Sequence, residues 1–420
     1  MVLRGRITVP GDKSISHRAL LIASISQGTS VIQGLSSAQD CVRTMECCAE
    51  LGVEIEKQDS WTAVVDGKGL SSLQEPWDVL DCGNSATTMR LLSGILAGQD
   101  FFSIVTGDNS LRNRPMKRIV TPLQLMGAEI RGRQQGSLAP LAVQGGGLEG
   151  ITYKLPVASG QVKSAILLAG LFAEGTTAVI EPIPSRDHTE QMLAAFGADI
   201  ERDHGQVKVK GKTALYGQSV DIPGDISSAA FFMAPAAVLP GSDLVIENVG
   251  LNPTRTGIID VLQAMGALIQ LENVKSSGGE LRGDIQVKGR SLTGTCIDGD
   301  LIPRMIDEIP IAAVIATQAV GKTEIRDAGE LRVKESDRIK VLVEELGKLG
   351  AQIQELPDGL EIVGPTPLKG GIVQAHGDHR IAMSLEIASL FSSEPVRVQG
   401  THCIDVSFPE FSSILHRITS

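Results

Sequence analysis

Aromatic residues make up only 3% of this 420-residue chain, too few for the stacking platforms on which proteins hold bases. Positive charge is also in short supply, and the net charge of −11 disfavours nucleic acid and anionic membranes as partners. Any anionic ligand must therefore meet cations concentrated locally. The six cysteines (Cys41, Cys47, Cys48, Cys82, Cys296 and Cys403) show no C-x-x-C spacing and no paired framework. Reduced thiols in a cytosolic enzyme fit that pattern better than disulfides or zinc. Long apolar runs are missing: those near 229–239 and 309–316 fall short of a membrane span, and the opening Met-Val-Leu-Arg-Gly-Arg has no apolar signal core. A cytoplasmic protein is expected. There is no Gly-x-x-x-x-Gly-Lys-Ser/Thr and no Gly-x-Ser-x-Gly, which argues against a nucleotide P-loop and a Ser–His–Asp hydrolase. His376 and His379 are three apart without an evident third ligand, so no metal is expected.

What the chain does have is repetition. Its length exceeds the usual single-core limit of about 250–300 residues, so two domains are the default. An apolar-Gly-small-x-Ile tag recurs at Leu51–Ile55, Met126–Ile130, Phe196–Ile200, Met265–Ile269 and Leu349–Ile353, with glycines 75, 70, 69 and 84 residues apart. Each tag closes an apolar-periodic segment and leads into an alternating one, as in Gln206–Lys210, which reads as a helix ended by a C′ glycine and then a strand. A second tag has six copies, beginning at Gly28, Gly98, Gly175, Gly241, Gly321 and Ser393, and each starts a strand after a helix-like run. The unit is helix–strand–helix–strand plus a hairpin strand, about 70 residues long. Six such units give an α/β fold of two domains with three units each.

The turn Pro10-Gly11-Asp12 precedes unit one, and its echo 213 positions later, Pro223-Gly224-Asp225, precedes unit four. A split there gives a continuous domain, 13–223, and a discontinuous one, 1–12 plus 224–420. Chain crossings near 13 and 224 then make a natural hinge, and ligand sites favour domain interfaces.

Each unit opens on small polar or charged residues: Lys13, Ser14 and Arg18; Gly83–Arg90, followed by Arg112, Arg114, Lys117 and Arg118; Ser159–Ser164, followed by Ser185–His188. Units four to six offer Asp225–Ser228; Asp307 and Glu308, followed by Lys334–Arg338; and Gly377–Arg380. Cations and hydroxyls at a helix start suit phosphate, because backbone N–H groups and the helix dipole favour anions there. The plainer reading of any one cluster is an ordinary Ser or Asp cap; recurrence in register across six units favours the ligand reading. His17 and His188 read as groups that cap or orient neighbours. Arginine forks hold phosphate and carboxylate bidentately, and the acidic candidates Asp307 and Glu335 suit general acid–base work. The residues alone point to transfer chemistry on small, multiply anionic metabolites without a metal or other cofactor.

The motifs Gly-Asp-Lys-Ser-Ile-Ser-His-Arg at 11–18, Gly-Asn at 83–84, Arg-Pro-Met at 114–116, Arg-Val-Lys-Glu-Ser-Asp-Arg at 332–338 and Asp-His-Arg at 378–380 resemble the 5-enolpyruvylshikimate-3-phosphate synthase family over essentially the whole chain. The resemblance implies an inside-out α/β barrel architecture, two domains that close on ligand, and transfer of the enolpyruvyl group of phosphoenolpyruvate to the 5-hydroxyl of shikimate 3-phosphate, with release of phosphate through a tetrahedral intermediate. Carried onto this sequence, it implies that Lys13 touches both ligands. Ser14, Arg18, Ser159, Gln161, Lys334 and Asp307 would hold shikimate 3-phosphate, with Ser185 and Arg186 on its phosphate. Asn84, Ala86, Arg114, Gln161, Arg338 and Arg380 would line the phosphoenolpyruvate site. Asp307 would take the hydroxyl proton and Glu335 would protonate the methylene. Asp307 is placed by its 28-residue separation from Glu335, with Asp300 and Glu308 as fallbacks. A monomer is expected.

Three departures from the family pattern stand out. Ala86 replaces a glycine beside the phosphoenolpyruvate pocket, which, with Arg186–Glu190, resembles the glyphosate-tolerant class, so weak glyphosate binding is expected. Gly160 stands where Ala or Ser is usual, and Val406 where the sensitive class has Lys. The rival readings are the sister transferase acting on UDP-N-acetylglucosamine and a non-catalytic metabolite-binding relative. The former is disfavoured because 108–114 lacks a cysteine and Ser14, not Asn, follows Lys13.

Overall fold

A computed structural model describes residues 2–203 and 205–419. The chain divides into two compact units. One comprises Met1–Pro10, Pro223–Ser276 and Leu281–Ser420; the other comprises Gly11–Ile222 and Ser277–Glu280. The boundaries fall a residue or two from those read off the Pro-Gly-Asp turns. The hairpin tip 277–280 is a difference, because it groups with the second unit.

Among the described residues the sequence repeat becomes six sheets, five with four strands and one with two. Each sheet opens on a short strand paired parallel to the strand that follows an inner helix. In the second repeat, Leu80–Asp81 leads through helix Ala86–Ala97 to Phe102–Thr106 and pairs with it in parallel. The antiparallel strands Glu129–Gly132 and Leu138–Gln144 complete that sheet. The leading strands have two to four residues, too few to show a period, and the sequence reading misses them.

Two leading strands explain why one unit is discontinuous. Arg4–Ile7 precedes the helix Lys13–Ser24 yet pairs with Asp243–Gly250, and Ser219–Asp221 precedes the helix Ile226–Val238 yet pairs with Gln27–Gln33. Parallel pairing needs a crossover rather than a tight turn. Each unit therefore takes its first edge strand from the chain just before that chain leaves it.

The glycines of the first tag all have positive φ, from +84° to +112°, as left-handed C′ residues do. Gly98 of the second tag departs from this. It has φ −89°, and a Cβ there would lie 2.2 Å from the Phe172 ring, so close packing keeps it glycine. In the last repeat a 3-10 turn and the helix Phe411–Thr419 follow the two-stranded sheet. Phe408 and Phe411 pack there on Phe232, with ring centroids 5.9 and 5.6 Å away.

Within each unit three helices lie inside and the sheets lie outside. Ile309–Ala316 is buried at all eight positions, Gly160–Gly170 from Val162 onward, and Lys13–Ser24 from Ile15 onward. A helix that is apolar all round must be covered on every face. Side-chain caps mark the starts of inner helices other than Ile309–Ala316: Asp12 accepts from the Ile15 N–H at 3.0 Å, Ser85 from Thr88 at 3.1 Å, and Asp378 from Arg380 at 3.0 Å. Such a cap contributes about 1 kcal/mol.

Close approach of inner helices depends on Gly94 in Ala86–Ala97. A Cβ there would sit 2.2 Å from the Ala165 carbonyl oxygen in Gly160–Gly170. Gly94→Ala should therefore destabilise by about 2–3 kcal/mol through overpacking, despite alanine's better helix propensity. A lowered denaturant midpoint is expected; an unchanged or raised midpoint would contradict the packing account.

Candidate functional site

Clusters of polar side chains stand at the starts of the inner helices in both units. In the unit built on Gly11–Ile222, Arg18 is only 2% exposed, and its nitrogens are bound by the protein. Nε donates to Thr189 Oγ1 at 2.7 Å, Nη1 to the Ser14 carbonyl at 2.8 Å, and Nη2 to Ser164 Oγ at 2.8 Å. Burial, with a further contribution from the nearby Arg186 charge, pulls its pKa down to about 10 against the opposing effect of Glu190. Lys13 Nζ lies 2.7 Å from Asp40 Oδ2. Ser159 caps Gly160–Gly170, accepting from the Val162 N–H at 3.4 Å. A Cβ on Gly160 would lie 3.2 Å from the Arg186 Cβ, so the departure at 160 leaves Arg186 its room.

A second network in this unit joins Asn84, Thr87, Arg90, Arg114 and Gln161. Arg114 Nη2 donates to Asn84 Oδ1 at 2.8 Å, Gln161 Nε2 to Thr87 Oγ1 at 2.8 Å, and Arg90 Nη1 to Gln161 Oε1 at 2.5 Å. Arg90 also donates to the Pro115 carbonyl at 3.1 Å. Ala86 begins its helix between Asn84 and Thr87 and is buried. Of the basic run 112–118, Arg114 is buried while Arg112 and Lys117 are exposed.

Ser185 donates its hydroxyl to Glu181, and Lys163, 1% exposed, stands 2.7 Å from both Glu181 and Glu190. Burial pushes the Glu190 carboxyl up, with Lys163 opposing. The residue that the sequence reading gave to a phosphate is thus also an anchor for this buried ion cluster.

In the other unit Arg338 is the centre. It is 1% exposed. Nε donates to Asp378 Oδ2 at 2.8 Å and Nη2 to Glu335 Oε2 at 2.7 Å, while Nη1 lies 3.5 Å from Asp307 Oδ1. Burial works against its charge, but Asp378, Glu335 and Asp307 outweigh that and hold its proton more tightly than usual. Asp378 is buried as well, yet Arg338 keeps its carboxyl below the ordinary range. Arg380 closes the cluster: Nε is 3.7 Å from Asp307 Oδ1, and Nη1 donates to the Asp307 carbonyl at 3.3 Å. Lys334 is half-buried in the turn just before Glu335. The fallbacks for Asp307 part from it: Asp300 is exposed, and Glu308 is buried against Ser227 and Arg255.

A match between residues 1–415 and a model of the family described as EPSP synthase (3-phosphoshikimate 1-carboxyvinyltransferase) decides the assignment. The chain belongs to the EPSP synthase family. It is 57% identical over 416 residues to the 3-phosphoshikimate 1-carboxyvinyltransferase of Alkaliphilus metalliredigens, covering 99% of this chain and 97% of that protein. It is 54% identical over 418 residues to the protein of that name from Pelotomaculum thermopropionicum, covering 99% and 96%. The solved EPSP synthase from Acinetobacter baumannii aligns with a TM-score of 0.89 at 45% identity, covering 99% and 96% of the two chains. The enolpyruvyl transferase NikO from Streptomyces tendae aligns with a TM-score of 0.79 at 18% identity, covering 100% and 95%, a likeness of fold alone. The UDP-N-acetylglucosamine reading is thereby disfavoured.

Around the residues expected to meet ligand, sequence reasoning passed over Asp378, Arg90 and Asp40, which hold Arg338, Gln161 and Lys13. Asp378 stood in the quoted Asp-His-Arg motif, but its cap position hid its second role. The possible metal pair His376 and His379 also reads differently. His376 gathers with Glu344 and Glu345, not with His379. Glu345 there accepts from Lys348 at 2.8 Å, from the Gln374 N–H at 3.0 Å, and shares 2.7 Å with His376 Nε2. A lysine already supplies the positive charge among these groups.

His17 is fully buried and shares a 2.6 Å hydrogen bond with Thr44, which is 2.7 Å from Thr88 at the start of Ala86–Ala97. Burial pushes its pKa down to about 3 from 6.5. The unfolded chain therefore takes up the proton first, so this contribution to stability is complete above pH 6.5 and is lost as pH falls towards 3. The slope from one such proton is about 1.4 kcal/mol per pH unit. His17→Gln should lose less stability than the parent between pH 6.5 and 4 in denaturant titrations; equal losses would contradict this assignment.

Proposed function

We propose that Arg18 in one unit and Arg338 in the other meet different substrates of enolpyruvyl transfer. The enzyme joins the enolpyruvyl group of phosphoenolpyruvate to the 5-hydroxyl of shikimate 3-phosphate and releases phosphate, a step of aromatic amino acid biosynthesis. Ser14, Arg18, Ser159, Gln161, Ser185, Arg186, Asp307 and Lys334 bind shikimate 3-phosphate, and Arg114, Gln161, Arg338 and Arg380, with Asn84 and Ala86, bind phosphoenolpyruvate. Lys13 serves both. The carrying observation is the Arg338 cluster, where one buried guanidinium reaches Glu335 at 2.7 Å and Asp307 at 3.5 Å while Asp378 fixes it from behind. Arginine forks match the carboxylate and phosphate of phosphoenolpyruvate, and the two carboxylates supply an acid and a base at one place.

In this reading Asp307 takes the proton of the attacking hydroxyl. Glu335 delivers a proton to the methylene carbon, which makes the adjacent carbon electrophilic, and the hydroxyl oxygen bonds to that carbon. The tetrahedral adduct then loses phosphate and a methyl proton, restoring the double bond. No cofactor is required for this sequence of proton transfers. The enzyme works in the cytoplasm as a monomer; among the described residues no helix is long and apolar enough to cross a membrane, and all six cysteines are free thiols, five of them buried.

Inorganic phosphate release tests the reading. It should appear from phosphoenolpyruvate with shikimate 3-phosphate and stay at background with UDP-N-acetylglucosamine. Equal release with both acceptors, or none with either, would overturn it. Glyphosate tolerance rests on the Ala86 methyl group, which shortens the phosphoenolpyruvate pocket. Ala86→Gly should lower the glyphosate inhibition constant at least about tenfold, the order a single methyl-sized clash commands; an unchanged constant would contradict the pocket argument.

A further inference from the structure

Asp307 and Glu308 are adjacent carboxylates with different surroundings. Asp307 Oδ1 lies toward Arg338 and Arg380, at 3.5 and 3.7 Å. Glu308 is 1% exposed and accepts a hydrogen bond from the Ser227 hydroxyl. Arg255, 2% exposed, donates Nη2 to the same hydroxyl at 2.7 Å and stands 3.8 Å from Glu308 Oε1 and 3.4 Å from Asp225 Oδ1. Asp225 belongs to the second Pro-Gly-Asp turn and accepts from the Ser227 N–H at 2.8 Å. The turn that the sequence repeats is thus built into a buried network of Asp225, Ser227, Arg255 and Glu308.

Stability alone gives no reason for this network. A buried ion pair often contributes no more than well-packed apolar residues of similar volume, and the helix that Glu308 leads into, Ile309–Ala316, is apolar and buried throughout. What the network does supply is position. Glu308 donates its N–H to the Met305 carbonyl at 2.9 Å and accepts from Ala312 at 3.0 Å. Its side chain is tied to a second inner helix through Ser227. With Glu308 fixed at backbone and side chain, the preceding residue has little freedom to turn its carboxylate away from Arg338 and Arg380.

We infer that Glu308, held by Ser227 and Arg255, is a positioning residue that fixes Asp307 for proton transfer. The inference rests on the reading of Asp307 as the base. Positioning errors of about 1 Å can cost roughly 100-fold in rate, so Glu308→Ala should lower kcat about 10- to 100-fold while the KM of each substrate stays within about threefold. Glu308→Gln, which keeps an acceptor for Ser227, should recover kcat to within about fivefold of the parent. Should Glu308→Ala fail to fold, Ser227→Ala removes only the shared hydroxyl and should lower kcat about three- to tenfold with unchanged KM values. A folded Glu308→Ala or Ser227→Ala protein with parental kcat overturns the inference. Asp307→Asn separates the two layers: near-parental activity there overturns the reading of the base, whereas an inactive Asp307→Asn beside a parental Glu308→Ala overturns the positioning role alone.

Discussion

Helices buried on every side, such as Ile309–Ala316 and the greater part of Gly160–Gly170, can carry polar chemistry only where they begin. The first turn is also where four backbone N–H groups have no partner within the helix and where the dipole is positive. Lys13, Thr87, Gln161 and Arg380 all stand in such first turns. Sheathing the inner helices in sheets therefore drives the functional side chains of each unit to one kind of place. It also buries cations that a surface site would leave solvated.

A buried guanidinium must find partners or it is too costly to keep. Arg18 finds neutral ones: two hydroxyls and a carbonyl. Arg338 finds carboxylates, and they are not equivalent. Asp378 is wholly buried and caps a helix as well, whereas Asp307 and Glu335 retain 15% and 19% of their side-chain exposure. The buried partner is a fixture; the other two can yield the guanidinium to a ligand's anion without leaving a charge stranded in the core. An acidic chain with a net charge of −11 can in this way present local positive sites, because the cations are placed individually rather than spread over a surface.

Much of the fold was legible because helix ends leave a chemical mark. Gly52, Gly127, Gly197, Gly266 and Gly350 mark five of them, and the positive φ at each is what makes glycine recur there. The short parallel strands left no such mark: Leu80–Asp81 and Cys296–Ile297 have two residues each, and their pairing is decided by distant chain. For the site, the residues expected to meet anions were readable from the clustering of Lys, Arg and Ser. Their holders were not. Asp40, Arg90, Asp378 and the Arg255 network lie far in sequence from the groups they fix, or look like ordinary caps. The Pro-Gly-Asp echo was visible at once, but only the three-dimensional contacts of Asp225 and Ser227 give it a use.

The central claim is that Arg18 and Arg338 serve different substrates, and calorimetric binding of shikimate 3-phosphate tests it most directly. Replacing a guanidinium that holds an anionic ligand removes charge-assisted hydrogen bonds of about 2–3 kcal/mol or more. Arg18→Met should therefore weaken shikimate 3-phosphate binding by roughly 100-fold, while Arg338→Met should leave it within about threefold of the parent. Equal weakening in the two variants, or undiminished binding in Arg18→Met, would contradict the division.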